Sequence, residues 1–395
     1  MTPERPVTPE GPGEPGGSPL RIAYVLGTTA GGTGPHVAML AAGCAARGMA
    51  VRVFGPAETG RRYFAGQDGD GAPGFAAVPM ADRPRPARDV AAVVRLRRLL
   101  RDWAPDVVHA HGLRAAGFAA LALAGRPQPL VVTVHNAPPG SRAGRVIHAA
   151  LERLAARRSA AVTWVSPDLG ARMRRAGAAD GGRAVVAAPQ AVPPDADQVA
   201  AARAGLGGPD RPAVFAAGRL AEQKGFGALI DAAARWQRRD PVPVLAIAGD
   251  GPLAGALASR ARAVGVPVLF LGWRGDVPAL MAAADVIVVP SLWEGQPLIV
   301  QEALRAGRPL VASRAGGIPD LTGEDGALLV PAGDSAALAG AVLSVLDDRG
   351  AAARLRAAAT ERGAALPTSQ DAVDSAMALY CRVLYAPTGR TEQKI

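Results

Sequence analysis

The chain alternates short continuous apolar runs with longer stretches whose apolar positions recur every third or fourth residue. The runs suit strands buried on both faces, and the longer stretches suit helices with one covered stripe. Arg21–Leu26 predicts a strand that opens into a glycine-rich turn at 27–34. A helix is expected at 35–47, with Pro35 in the first turn, where its missing N–H costs nothing. The front half continues with strands at 50–54, 106–109, Leu130–Val134 and 161–165, and helices at 90–103, 113–123 and 143–157. Residues 61–74 read as a glycine-rich loop. A stretch rich in Pro, Ala and Gly at 188–212 interrupts the pattern and predicts a connection between two units. Alternation restarts with strands at Ala213–Ala217, 242–248, 268–270, Val286–Val289, 309–312 and 327–330. Helices are expected between them at 225–236, 253–264, Val277–Ala283 and 298–306, and then at 336–346, 351–362 and 369–384.

Strand–helix alternation of this kind builds parallel sheets covered by helices on both faces. The expected fold class is α/β, with two Rossmann-like doubly wound domains in series. The expected division is a tail at 1–19, a first domain at 20–190, a linker at 191–212, a second domain at 213–368 and a last helix at 369–386. Two such domains enclose a cleft, and open α/β sheets bind ligands beyond the carboxyl ends of their strands.

Composition narrows the class. The 395 residues are 49% hydrophobic and 20% charged, which suits packed cores and not a disordered chain. Cys44 and Cys381 are the only cysteines and stand outside any metal spacing, so neither a disulfide framework nor a Cys-based metal site is expected. No apolar run approaches the roughly 18 residues of a membrane span. Residues 1–19 lack the apolar stretch of a signal peptide. A soluble cytoplasmic protein is expected. Its charge is lopsided: residues 1–195 hold 24 Arg and no Lys against 14 acids, or +10, while 196–395 hold 20 bases against 20 acids, or zero. Much of the surplus lies at 88–101 and 142–158. One reading is the solvated faces of two helices. The other is a surface for an anionic partner, such as an anionic membrane at its inner face. No nucleic-acid module and no aromatic–basic interleaving is present, so nucleic acid is not an expected partner.

The densest chemistry follows strand Ala213–Ala217. In Gly218-Arg219-Leu220-Ala221-Glu222-Gln223-Lys224-Gly225, two cations lie five positions apart across a turn that leads into a helix. They can close on one anion with the helix amino end assisting. Lys224 is one of only two lysines among 44 basic residues. A compact ammonium stands where the chain otherwise uses Arg. After Val286–Val289 comes Pro290-Ser291-Leu292-Trp293-Glu294-Gly295-Gln296-Pro297-Leu298-Ile299, with Glu302 in the helix that follows. Pro297 fits the first helical turn and leaves neighbouring N–H groups on the Leu298 side for phosphate oxygens. A carboxylate accepts two hydrogen bonds at once, which suits vicinal sugar hydroxyls. Glu294 and Glu302 can therefore hold two polyol groups in line with a phosphate.

With Ala248-Gly249-Asp250-Gly251-Pro252-Leu253 and Phe270-Leu271-Gly272-Trp273 between them, these motifs are similar to the second domain of retaining glycosyltransferases of family 4, which have the GT-B fold. The resemblance runs from about Leu20 to Tyr385. It implies a nucleotide-diphosphate sugar as donor and co-substrate, no separate cofactor, and a carbohydrate, lipid or small-molecule acceptor. It implies that Arg219 and Lys224 bind the donor diphosphate, that Glu294 contacts the donor sugar, and that Glu302 holds the ribose. Gly218, Gly249, Trp273, Gly295, Gln296, Pro297, Leu298 and Ile299 fall in the donor-binding motifs, with 272–274 near the base. The last helix would cross back to the first domain. Gln296 and Pro297 depart from the commoner Phe and Gly, and Ala188-Pro189-Gln190-Ala191-Val192 departs from the usual Asn-Gly-Val-Asp turn.

The front half carries weaker signals. Gly31-Gly32 suits close backbone approach to a phosphate or an acceptor. His36 follows as a candidate acceptor contact. His109 and His111 share a strand face by period two and are read as packing or acceptor residues. His135 stands at a strand's carboxyl end and matches the family's histidine near the donor sugar, which makes it a catalytic candidate with Arg219, Lys224 and Glu294. No metal is expected: Asp68-Gly69-Asp70 and Asp195-Ala196-Asp197 lie in Gly- or Pro-rich segments away from strand ends. An NAD-dependent reading fails, because 27–32 lacks Gly-x-Gly-x-x-Gly and 53–56 offers no acid. A GT-B epimerase or a non-catalytic nucleotide-sugar-binding module stays as the alternative.

Overall fold

The apolar runs pair as parallel strands in two separate sheets. The computed structural model describes residues 18–29, 31–65, 72–81, 84–138, 141–189 and 192–385. Asp68-Gly69-Asp70 and the Gln190-Ala191 step lie outside them. The first sheet contains β1 (Arg21–Leu26), β2 (Ala50–Gly55), β3 (Gly74–Ala77), β4 (Val107–His111), β5 (Leu130–Val134), β6 (Ala161–Trp164) and β7 (Gly181–Arg183), in the order β3-β2-β1-β4-β5-β6-β7. The second contains β8 (Ala213–Ala217), β9 (Val244–Ala248), β10 (Val268–Gly272), β11 (Val286–Val289), β12 (Leu310–Ser313) and β13 (Leu328–Val330), in the order β10-β9-β8-β11-β12-β13. In each sheet the order reverses beside the first strand, between β1 and β4 and between β8 and β11. These are topological switch points, where doubly wound sheets hold ligands.

Every central strand is covered on both faces. On β1, Ile22, Tyr24 and Leu26 face one apolar cluster while Ala23 and Val25 face another. On β8, Val214 and Ala216 alternate with Ala213 and Phe215 in the same way. Period-two alternation between two cores is why these strands read as unbroken apolar runs. Full burial of each large side chain contributes about 1.5–3 kcal/mol. Among the described residues no helix is long and apolar enough to cross a membrane.

Two expectations need correction, and one strand was not foreseen. Within the expected linker, Ala196–Gly205 is a helix, and Ala202 and Leu206 are part of the second domain's core. Asp195 caps it: its side chain accepts from Gln198 N at 2.8 Å, while Gln198 Oε1 accepts from Asp195 N at 3.0 Å. The flanking prolines hid this capping box, which also occupies the Asp195-Ala196-Asp197 string. Within the expected loop at 61–74, residues 61–63 end a helix, Ala57–Tyr63, and Gly74 opens β3. Lastly, Gly181–Arg183 pairs with β6 as an edge strand, too short to show a period.

The last helix, Ser369–Tyr385, leaves the second domain and packs on the first. Leu366 lies in the second domain's core, whereas Ala372, Val373, Ala376 and Tyr380 lie in the core beneath β1. Gly43 makes room for it, since a Cβ there would overlap Val373.

Candidate active site

The carboxyl ends of β1, β4, β5, β8, β9 and β11 converge on one cleft of about 1140 Å³ between the two domains. Every site residue predicted from sequence borders it except His109.

On the second-domain side, Gly218 follows β8 and the chain turns through a short 3-10 helix, Glu222–Lys224, into helix Phe226–Arg235. Gly225 joins the two helices at φ +67°, pressed on the Pro290 carbonyl where a Cβ could not fit. That close contact docks the Lys224 turn against the β11 turn. Lys224 Nζ lies 2.5 Å from Glu294 Oε1 and donates to it, and Ser291 Oγ donates to the same oxygen at 2.8 Å. Glu294 is buried and Lys224 is partly exposed. Sequence spacing foresaw neither contact: the two residues taken as separate phosphate and sugar ligands are already an ion pair. Exposed Arg219 borders the cleft beside them. Gly249 follows β9 and lies against the Gly218 carbonyl, again with no room for a Cβ.

Helix Leu298–Arg305 presents its amino end to the cleft, with Pro297 as N-cap and no acid in its first turn. Its unpaired N–H groups and dipole favour an anion there. In its second turn, Glu302 borders the same space. Burial raises its pKa above the ordinary carboxyl value, with Arg305 pulling the other way. Trp273 stands 73% exposed at the cleft rim, next to Arg274, which pairs with Asp276 at 2.5 Å.

The first domain supplies glycines and histidines. Gly32 caps helix Thr33–Ala45, and a Cβ on it would lie 3.3 Å from Leu298 Cδ1 of the opposite domain. Gly31 has open space around its Cα. His36, His111 and His135 border the cleft as a ring cluster, with His111 Nδ1 and His135 Nε2 3.0 Å apart. Burial keeps these rings neutral. It lowers His36 to about 4, and with help from His36 it lowers His109 to about 3. His111 and His135 lie well below the ordinary value, through burial and then their neighbours. His109 does not reach the cleft, which corrects its expected acceptor contact. It is 3% exposed, and its nitrogens are taken up by Tyr380 and Thr133, both at 2.7 Å. Period two correctly set it beside His111, at 4.1 Å between ring centroids, but one layer deeper. Among the described residues no group of three or more His, Cys, Asp or Glu side chains is arranged to hold a metal ion.

The domains are also tied directly. Gln296, expected at the donor, donates from Nε2 to the Ala184 carbonyl at 2.6 Å. Gln301 bridges Ala188 N and Val186 O, both at 2.9 Å, and Trp293 Nε1 donates to Asp168 at 3.0 Å. Gly295 packs on Val165 so closely that a Cβ would overlap it. Sequence reading missed Arg62, Arg114 and Asn136, which also border the cleft. Asn136 had a signal in its place beside His135. Arg62 was hidden by the glycine-rich stretch that follows it.

The glycosyl transferases group 1 model matches residues 211–348, and the glycosyl transferase 4-like domain model matches residues 31–190. The chain is 33% identical over 277 residues to a 2-deoxystreptamine N-acetyl-D-glucosaminyltransferase of Streptomyces fradiae, covering 63% of this chain and 65% of that protein, slightly under two thirds of its length. It is 31% identical over 282 residues to a 2-deoxystreptamine glucosyltransferase of Streptomyces kanamyceticus, covering 65% of this chain and 72% of that one. The fold superposes on Anabaena HepE, solved in complex with UDP and glucose, with a TM-score of 0.76 at 20% identity over 91% of this chain and 99% of that chain. Two Rossmann-like domains facing one cleft are the GT-B architecture, found in glycosyltransferases. The chain belongs to the group 1 glycosyl transferases.

Proposed function

We propose that this chain is a retaining glycosyltransferase that moves a sugar from a nucleoside diphosphate sugar to a hydroxyl acceptor without a divalent metal. The observation that carries the reading is the convergence of Arg219, the Lys224–Glu294 pair, the amino end of helix Leu298–Arg305 and Glu302 opposite His135 in one cleft. Departure of a nucleoside diphosphate builds negative charge. Arg219, Lys224 and the helix amino end supply fixed positive charge where it develops. When phosphate draws Lys224 away, Glu294 turns its carboxylate to the sugar hydroxyls. Glu302 accepts from the ribose, and Trp273 lies beside the base.

A double displacement needs a carboxylate on the sugar's other face. Among the described residues bordering the cleft the acids are Asp250, Glu294 and Glu302, all from the second domain. This favours a front-face route in which the leaving phosphate takes the acceptor's proton. The relatives named for 2-deoxystreptamine support a small polyhydroxyl acceptor, and HepE's bound UDP supports a uridine donor. The test is release of UDP from UDP-glucose and UDP-N-acetylglucosamine, with 2-deoxystreptamine or simple sugars as acceptor, in excess EDTA. Turnover giving a product of unchanged anomeric configuration is expected. Turnover that needs magnesium or manganese contradicts the metal-free reading, and inversion contradicts retention.

The first domain's outer face supports a second partner, an anionic membrane met from the cytoplasmic side. Helices Pro86–Trp103 and Arg142–Arg158 expose Val90 at 64% and Val146 at 71%, and the same two helices carry exposed arginines that include Arg88, Arg98, Arg142 and Arg153. Exposed apolar side chains on arginine-bearing helices suit an anionic interface.

A further inference from the structure

A buried line of hydrogen bonds runs behind the cleft from the last helix to the histidines. Tyr380 OH donates to Tyr24 OH at 2.9 Å, and the Tyr24 hydroxyl lies 3.6 Å from Cys44 Sγ. Tyr380 OH also lies 2.7 Å from His109 Nδ1. His109 Nε2 lies 2.7 Å from Thr133 Oγ1, which lies 2.7 Å from Thr163 Oγ1. A hydroxyl has one proton to give. Because Tyr380 gives its proton to Tyr24, its oxygen accepts from His109, so His109 carries its proton on Nδ1. Nε2 is then the acceptor, and Thr133 donates to it. Both tyrosines are fully buried. Nothing in this line touches the cleft. Its neighbour does: the His109 ring lies 4.1 Å from that of His111, which is bonded to His135.

We propose that Tyr380 is a positioning residue: from the last helix it fixes the ring orientation and tautomer of His109, and through that ring it seats the His111–His135 pair at the donor site. The second domain has a hold on this arrangement. Arg305 Nη2 donates to Pro367 O at 2.9 Å, two positions before the helix that carries Tyr380 begins. Arg305 itself ends the helix that bears Glu302. One path of helix backbone, hydrogen bonds and ring packing thus joins the donor helix of the second domain to the histidines of the first.

The consequence for turnover rests on the glycosyltransferase reading, but the tautomer does not. The chain has five histidines, so nitrogen-15 labelling of histidine alone gives a spectrum simple enough to assign each tautomer. In the wild type, His109 is expected as the Nδ1–H form. In Tyr380→Phe it loses its acceptor and moves to the Nε2–H form, donating to Thr133, and the His111 and His135 signals shift with it. Should Tyr380→Phe fail to fold, Tyr24→Phe serves. It removes the acceptor for the Tyr380 proton, which then turns to Nδ1 and drives the same change of tautomer.

The rate of UDP release from UDP-glucose is expected to fall about tenfold with UDP affinity unchanged, the mark of a misplaced group and not of a lost binding contact. An unmoved His109 tautomer overturns the proposal. So does a moved tautomer with wild-type turnover, or a fall in rate matched by an equal fall in UDP affinity. If the wild type releases no UDP from any nucleotide sugar, the functional reading fails first. The proposal is then judged on the spectrum: displaced His111 and His135 signals uphold it, and unmoved ones overturn it.

Discussion

Each domain ends its first strand in a glycine-bearing turn at the same cleft, yet the side chains delivered there differ in kind. The second domain delivers Arg219, Lys224, Glu294 and Glu302, of which Lys224 and Glu294 pair with each other. The first delivers Gly31, Gly32 and neutral, desolvated imidazoles. All five histidines of the chain lie in the first half, together with the whole surplus of +10, while the second half sums to zero. One architecture therefore hosts two electrostatic environments. Ion pairs hold fixed charge ready for an anion, whereas buried neutral rings shape a pocket that resists charging.

The largest effects should come from the charged side. Arg219→Ala and Lys224→Ala are each expected to lower turnover of a nucleotide sugar by about 10²–10³-fold, the scale of removing a preorganised group that meets developing charge. Lys224→Ala also leaves the buried Glu294 carboxylate without its cation, so its melting temperature should drop further than that of Arg219→Ala. Equal melting temperatures would show that Lys224 does not neutralise Glu294 in the folded protein.

Acid should separate the domains next. The histidine pKa values are depressed on folding, so the unfolded chain binds more protons below the ordinary histidine value of about 6.5. This stabilisation is complete above that pH and is lost as pH falls toward about 4 for His36 and about 3 for His109. Each proton taken up on unfolding costs about 1.4 kcal/mol per pH unit. Hydrogen exchange at pH 7 and pH 5 is expected to show β1, β4 and β5 loosening well before β8 and β11. Uniform loosening would erase the contrast.

Glu302 sharpens it from the other side. Its pKa is raised by burial, so its charged form opposes folding as pH rises above the ordinary carboxyl range. Glu302→Gln should melt higher at pH 7 and bind UDP about tenfold or more weakly, as the loss of a hydrogen bond to a charged group implies. The smallest effect concerns the outer basic face. Co-sedimentation with anionic vesicles at low salt is expected, falling away at 1 M salt, where the screening length is about 3 Å. Equal, negligible binding to anionic and neutral vesicles would leave those arginines as solvated charge.

The same contrast governs what could be read in advance. Strands β1, β5, β8 and β11 were legible because a strand covered on both faces is an uninterrupted apolar run. The second-domain motifs were legible because their charged residues sit at fixed offsets from a strand end, which leaves a mark in local spacing. Pairings between distant segments leave no such trace. Nothing near Lys224 announces Glu294, nothing near Gln296 announces Ala184, and Tyr380 lies 271 positions from His109. The helix Ala196–Gly205 was masked by its flanking prolines. The depth of His109 depends on which layer the last helix covers, a fact of packing and not of pattern.

The division of labour between the domains is tested most directly by calorimetric titration of UDP into Lys224→Ala and His135→Ala. The second domain alone should hold the diphosphate. Lys224→Ala is therefore expected to weaken UDP binding at least tenfold, the loss of a charge-assisted contact. His135→Ala should bind UDP as the wild type does while losing turnover of UDP-glucose. A His135→Ala protein that binds UDP more weakly than Lys224→Ala would contradict the division and place the diphosphate on the first domain.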